Sequence, residues 1–307
     1  MNSDKAVKRL SQIASQIDSK SKPMLQTQIT QLLTNGKTEE ASQTALSAFL
    51  QPPRYQPNAQ QLAVLQRAEK ASITVNDTKI QTYTWNSQAR SGVILSHGFS
   101  TSAAFLAPMV QHLLATCDHR LVAVDHAAHG ASSGTEASVG HLIVTLKKLV
   151  EDEQAAGKHV ISLIGHSVGA TALVMLLSRS PKLFDQQASR PSLIAINPPL
   201  QAVTLMRGFC VQHALPLSLI NGMLAALEPA PEHVLKLGMV QAWAKDLRVL
   251  LFQDRDDKVS NPEDTEKLAT QLRSYGAILS FEKTEKLGHF KPAGTAHVLD
   301  LVQSFIQ

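Results

Sequence analysis

The sequence predicts an α/β fold in which a mainly parallel β-sheet is flanked by helices, and three observations predict it. From about residue 71 onward, short apolar runs alternate with stretches of helical periodicity, the pattern of strands joined by crossover helices. One of those runs, from His159 to Gly165, breaks at glycine and resumes at Ala170 as a helical pattern, with Ser167 at the break. Two further polar residues, Asp256 and His289, follow the last two apolar runs, where a parallel sheet gathers its ligands.

Residues 3 to about 70 read as helices with polar outer faces. Ala6, Val7, Leu10, Ile13, Ala14 and Ile17 make one apolar stripe at three- and four-residue spacing, and Leu25, Ile29, Leu32 and Leu33 make a second, closed by Asn35-Gly36. Ala41, Ala45, Leu46, Phe49 and Leu50 make a third, stopped by Pro52-Pro53; Asn58 caps a fourth that carries Leu62, Leu65 and Ala68. Segment 1–70 is therefore assigned as an N-terminal helical extension covering the main domain, 71–307, with a docking module or part of a lid as the alternatives.

At Ala71 the period changes to two. Ile73 and Val75, the turn Asn76-Asp77, then Ile80, Thr82 and Thr84 read as a hairpin. The later runs cover 93–98, 121–125, 160–165, 193–197, 249–254 and 278–281. Between them, Val139, Leu142, Ile143, Leu146, Leu149 and Val150 form one helical face, Ala170 to Leu177 reads as a buried helix stopped by Pro181, and Ser260-Asn-Pro-Glu263 has the spacing of a capping box. Right-handed crossovers then place helices on both faces of the sheet. The pattern is interrupted at 198–245, where a helical insertion caps the strand ends. Its stretch from Leu200 to Leu227 holds a dozen large apolar side chains, with Arg207 as the one arginine or lysine.

The break at Ser167 is the geometry of a nucleophile elbow. Gly165 and Gly169 stand where a strand-to-helix corner is too crowded for side chains, His166 and Val168 flank the serine, and the N–H of Val168 at the helix start is free to donate to an anion. A serine hydroxyl is a weak nucleophile and needs a base, which needs an orienting carboxylate. His289, after Gly288, and Asp256 supply them in the order Ser, Asp, His; Asp254 is the alternative acid, and Asp257 crowds the same turn. His97-Gly98-Phe99, directly after the 93–98 run, adds a second backbone donor, the Phe99 N–H, opposite that of Val168.

Composition excludes several other classes. Of 307 residues, 44% are hydrophobic and 18% charged, which is globular, and the net charge of +4 is spread along the chain with no basic run, so no nucleic-acid partner is expected. Cys117 and Cys210 lack disulfide-framework or metal spacing and read as thiols in a reducing, cytoplasmic setting. The first residues lead into no apolar signal region, and no uncharged apolar stretch of membrane-spanning length stands out. The glycines at the elbow make no dinucleotide fingerprint, so no cofactor is expected. Oligomeric state is not readable.

On Leu95-Ser-His-Gly-Phe99, Val124-Asp125-His-Ala-Ala-His129-Gly130-Ala-Ser132, Gly165-His-Ser-Val-Gly169, Asp256-Asp-Lys-Val259-Ser and Gly288-His289-Phe290, the chain resembles the α/β-hydrolase superfamily, and within it the lipase-, esterase- and lysophospholipase-like serine hydrolases. The resemblance implies an α/β-hydrolase fold with Ser167 as nucleophile, His289 as base, Asp256 as acid, and Phe99 and Val168 as oxyanion donors. Asp256 is preferred because Val259 and Ser260 follow it at the family spacing. The Asp125 to Ser132 loop is structural in the family, with Ala128 where glycine is usual, so His126 and His129 are expected to bind no metal. The expected activity is hydrolysis of an apolar, small-molecule ester or thioester through an acyl-enzyme. An acyltransferase with the same triad and a non-catalytic binding or signalling protein are the alternatives.

Overall fold

The computed structural model describes residues 21–227 and 240–306; the stripe from Ala6 to Ile17 and the part of the insertion at 228–239 lie outside the described residues. Three helices lead, α1 (Ser21–Thr34), α2 (Thr38–Leu50) and α3 (Ala59–Gln66). The hairpin β1 (Glu69–Val75) and β2 (Thr78–Trp85) follows, then β3 (Ser91–Ser96), α4 (Ala107–Thr116), β4 (Arg120–Val124), α5 (Val139–Ala155), β5 (His159–His166), α6 (Val168–Arg179) and β6 (Ser192–Ile196). The insertion carries α7 (Ala202–Gln212), α8 (Leu219–Leu227) and the short α9 (Gln241–Ala244), and the chain closes with β7 (Arg248–Asp254), α10 (Pro262–Ser274), β8 (Ile278–Thr284) and α11 (Ala296–Ile306).

The eight strands among the described residues form one sheet in the order β1-β2-β4-β3-β5-β6-β7-β8. The hairpin is antiparallel, as is the β2–β4 pair, and every pairing from β4 to β8 is parallel. Asn76 and Asp77 take φ of +44° and +61°, the left-handed pair that a two-residue hairpin turn requires. Because side chains alternate across a strand, the apolar runs feed two cores at once. Ile94, Val122, Leu163, Leu193 and Leu251 pack under α5, α6, α9 and α10. Leu95, Ala123, Ile164, Ile194 and Phe252 pack under α3, α4 and α11.

A third apolar cluster stands apart from the sheet. Ile29 of α1 and Ala41, Ala45 and Leu46 of α2 bury against Met206, Cys210, Leu215, Leu219, Ile220 and Met223 of the insertion. The stripes of α1 and α2 therefore pack on the helices α7 and α8. Each set is too short to bury an apolar face alone, and each covers the other.

Contacts cross both expected boundaries. α3, expected in the extension, packs on the sheet: its Asn58 capping box forms with Gln61, Val64 and Leu65 enter the second core, and Trp85 donates from Nε1 to the Val64 carbonyl at 3.2 Å. Leu62, expected on its buried face, is instead exposed. At the other boundary Trp243, inside the predicted cap at 198–245, lies in the first core and donates to Ser178 Oγ at 2.7 Å.

Candidate active site

The corner between β5 and α6 holds Ser167 at φ +56° and ψ −132°, a conformation costly for a residue with a side chain. Its N–H donates to the Ile196 carbonyl of β6 at 2.9 Å, which pins the corner to the sheet. Side chains at the two flanking glycines would have no room. A Cβ on Gly165 would lie 2.5 Å from Ala170 Cα, and one on Gly169 2.3 Å from the His97 carbonyl oxygen.

His289 reaches this serine from the loop after β8. Its Nε2 is 2.7 Å from Ser167 Oγ, and its Nδ1 is 2.7 Å from Oδ2 of Asp257. All three residues are buried. A neutral imidazole that donates from Nδ1 to the carboxylate leaves Nε2 to accept the serine proton. Asp257 also accepts at Oδ1 from the N–H groups of Val259 (2.7 Å) and Ser260 (3.0 Å), and at Oδ2 from Ser260 Oγ at 2.6 Å. Burial pushes its carboxyl pKa up, but the His289 bond and charge, with the Ser260 and Val259 donors, outweigh that and hold it below the ordinary carboxylate value.

The carboxylate that meets His289 is thus Asp257 and not Asp256, the expected acid. After β7 ends at Asp254 the chain makes a turn closed by the Asp257 N–H on the Asp254 carbonyl at 3.2 Å. Arg255 and Asp256 occupy its corners and are exposed, while Asp257, the residue after them, returns to the sheet end. Asp256 Oδ2 instead accepts the N–H of Lys286 at 2.8 Å.

Asp254, the alternative acid, holds the histidine loop. Its carboxylate accepts the N–H groups of Asp256 (2.9 Å), Leu287 (3.1 Å) and Gly288 (3.0 Å), and the Thr284 hydroxyl at 2.8 Å. The carbonyl of His289 itself accepts from His166 Nε2 at 2.8 Å and from Asn197 Nδ2 at 3.0 Å. Behind Asp257, Gln253 donates from Nε2 to Ser260 Oγ (3.1 Å) and accepts at Oε1 from the Thr265 hydroxyl (2.7 Å). In the sequence Asp257 and Asn197 carry no assigned role, although both stand just past strand ends, where such residues gather; Gln253, within β7, carries no such signal.

On the opposite side of the serine lies the turn after β3. The chain at Gly98 comes so close that a Cβ there would sit 2.7 Å from Ser167 Cβ. Two neutral histidines hold this turn. His97 accepts the His126 N–H at Nε2 (3.0 Å) and donates from Nδ1 to the Gly98 carbonyl (2.7 Å), while His129 accepts the Ser100 N–H at Nε2 (3.0 Å) and donates from Nδ1 to the Ala127 carbonyl (2.8 Å). Burial lowers the pKa of His97 to about 4 and that of His129 to about 3, and takes His126 well below its ordinary value. Phe99 follows Gly98 in this turn, and Val168, first residue of α6, carries an N–H that has no intrahelical acceptor by position. Among the described residues no group of three His, Cys, Asp or Glu side chains is placed to hold a metal ion.

Ser167 and His289 open into a cavity of about 1150 Å³. Its lining includes Leu200, Leu205, Phe209 and Leu227 of the insertion and Phe49, Leu50 and Tyr55 of the N-terminal segment. Arg207 is exposed and does not line it. Arg54 does, but its guanidinium is occupied by the carbonyls of Gly130 (2.6 Å), Ser132 (3.1 Å) and Gly134 (3.3 Å). No described helix is long and apolar enough to cross a membrane.

Residues 93–299 match the sequence profile of a family described as the alpha/beta hydrolase family. Among solved structures, the chain is similar to the esterase Pf2001 of Pyrococcus furiosus at a TM-score of 0.64 and 22% identity, over 84% of this chain and 97% of that one. A putative lipase of Acinetobacter baumannii superposes at 0.55 with 17% identity, over 81% and 95% of the two chains. Est1E of Butyrivibrio proteoclasticus, solved with ferulic acid bound, superposes at 0.55 with 12% identity, over 77% and 96%. At these identities the likeness is one of fold. No protein of curated function matches the sequence.

Proposed function

The chain belongs to the alpha/beta hydrolase family, and from that premise we propose that it is a serine hydrolase cleaving carboxylic esters or thioesters of apolar acyl groups through an acyl-enzyme on Ser167. The observation that carries the proposal is His289, with Nε2 2.7 Å from Ser167 Oγ and Nδ1 2.7 Å from Asp257 Oδ2. In this reading His289 takes the Oγ proton as the serine attacks the carbonyl, and the N–H groups of Phe99 and Val168 receive the oxyanion. The tetrahedral adduct collapses as His289 gives the proton to the leaving group; a water deprotonated by the same imidazole then attacks the acyl-enzyme, and the imidazolium returns that proton to Ser167 Oγ as the acid departs. Asp257 keeps Nδ1 protonated and stabilises the imidazolium.

The substrate class rests on the cavity wall. Aromatic and aliphatic side chains dominate it; of the two cations that line it, Arg54 is engaged by three carbonyls and Lys258 is exposed to solvent. Each acyl CH₂ transferred into such a wall is worth about 0.8 kcal/mol, so specificity constants should rise from acetyl towards medium chains and level off where the cavity ends. A fluorophosphonate probe tests the nucleophile, and p-nitrophenyl esters of two to twelve carbons test the class. Labelling and turnover that vanish in Ser167→Ala are the expected result; turnover undiminished in that variant would overturn the reading.

A further inference from the structure

The stretch from Phe49 to Tyr55 lies outside the segment matched to the hydrolase family, yet every residue from Ala48 to Gln56 lines the cavity above Ser167. This strap leaves the end of α2, passes Pro52-Pro53, and is tied to the loop after β4. The Ala137 N–H donates to the Leu50 carbonyl at 2.8 Å, and Arg54 binds the carbonyls of residues 130, 132 and 134.

The strap contributes one ring to each of two separate aromatic groups. Phe49 stacks on Phe99, with centroids 6.1 Å apart and planes at 17°, and meets Phe209 of the cap edge-on at 5.5 Å. Tyr55 meets Phe105 edge-on at 6.2 Å, and Phe105 meets Phe290 edge-on at 6.1 Å. The two groups approach the serine through different neighbours. Phe99 follows Gly98, which abuts Ser167 Cβ, and Phe290 follows His289, which touches Oγ.

We infer that the Phe49–Tyr55 strap determines substrate specificity on both sides of the scissile bond, Phe49 shaping the lobe beside Phe99 and Tyr55 the lobe beside Phe105 and Phe290. The preferred substrate is then a neutral ester with an apolar or aromatic group on its alcohol side as well as its acyl side. The only cation of the strap, Arg54, is held by backbone carbonyls and so does not select an anionic group. This inference rests on the serine-hydrolase reading.

The test is a grid of esters on the full chain, in which acyl length and alcohol (methyl, p-nitrophenyl, naphthyl) vary independently. Wild type should show its highest kcat/KM where both halves are large and apolar. Phe49→Ala should change discrimination along one axis by about tenfold, the scale of one or two methylenes in an apolar pocket, and leave the other axis unchanged. Tyr55→Leu should do the converse. A small fluorophosphonate should still label Ser167 in both, which shows that the nucleophile is intact. If Phe49→Ala fails to fold, Phe49→Trp, which narrows the same lobe, should shift the same axis in the opposite direction. Variants that change every ester by one common factor, or none, overturn the assignment of the strap while leaving the serine-hydrolase reading intact. A wild-type protein that the probe does not label removes both.

Discussion

Oδ2 of Asp257 stands 2.7 Å from Nδ1 of His289, at the returning end of a tight turn. If this pair orients the base, Asp257→Asn should lower kcat by about 10⁴-fold, as loss of the orienting carboxylate does in serine hydrolysis. Asp256→Asn, changing an exposed carboxylate that among the described residues accepts the Lys286 N–H, should stay near wild type. Steady-state hydrolysis of a p-nitrophenyl ester separates the two, and the reverse ranking would move the acid to Asp256. Ser167→Ala and His289→Ala should be non-additive when combined.

Asp254 should matter through the loop it holds. Asn at this position keeps one oxygen for four donors and turns an NH₂ toward the others, and each buried donor left unsatisfied costs about 1–3 kcal/mol. Asp254→Asn is therefore expected to lower the denaturation midpoint and reduce kcat with little change in KM. An unchanged midpoint would show that the Leu287-Gly288 segment does not depend on this carboxylate.

Stability should fall on the acid side earlier than carboxylates alone would require. His97, His129 and His166 are held neutral, mainly by burial, with pKa values lowered to about 4, about 3 and about 3. Their unfolded counterparts protonate near pH 6.5, so unfolding takes up protons below that pH and each group costs about 1.4 kcal/mol per pH unit until its folded pKa is reached. Asp257 adds a separate loss lower down, because its depressed folded pKa contributes stability that is lost as pH falls through it. The melting temperature should thus decline steadily from pH 6.5 to 4, and the decline should be shallower in His129→Gln. A flat profile between pH 7 and 5 would contradict the neutral assignment.

Removal of residues 1–53 should expose Met206, Cys210, Leu219 and Met223 on the cap. An exposed apolar patch of that kind is an association surface, so the truncated chain is expected to aggregate or to bind a hydrophobic dye. Ile29→Ala, at a fully buried contact of α1, should cost about 2–5 kcal/mol if α1 and the cap unfold with the rest of the chain. A truncated protein that stays soluble and melts like wild type would show that the N-terminal helices dock without supporting the cap.

Periodicity and punctuation in the sequence determined the elements. Apolar runs bounded by polar residues become β3 to β8, Asn76-Asp77 becomes a hairpin turn, and the two glycines around Ser167 mark a corner where a Cβ would strike Ala170 or the His97 carbonyl. These features are local, because spacing along the chain sets them. What the sequence left open was settled by distance across the fold. Three aspartates within four residues, 254, 256 and 257, have the same chemistry, and only the turn that follows β7 decides which one returns to His289. The apolar stripes of α1 and α2 announced faces that had to be buried, yet a stripe records no partner. It took the tertiary structure to lay them on α7 and α8 and so bring Phe49 against Phe99, because burial is a property of two surfaces and the sequence displays each one alone.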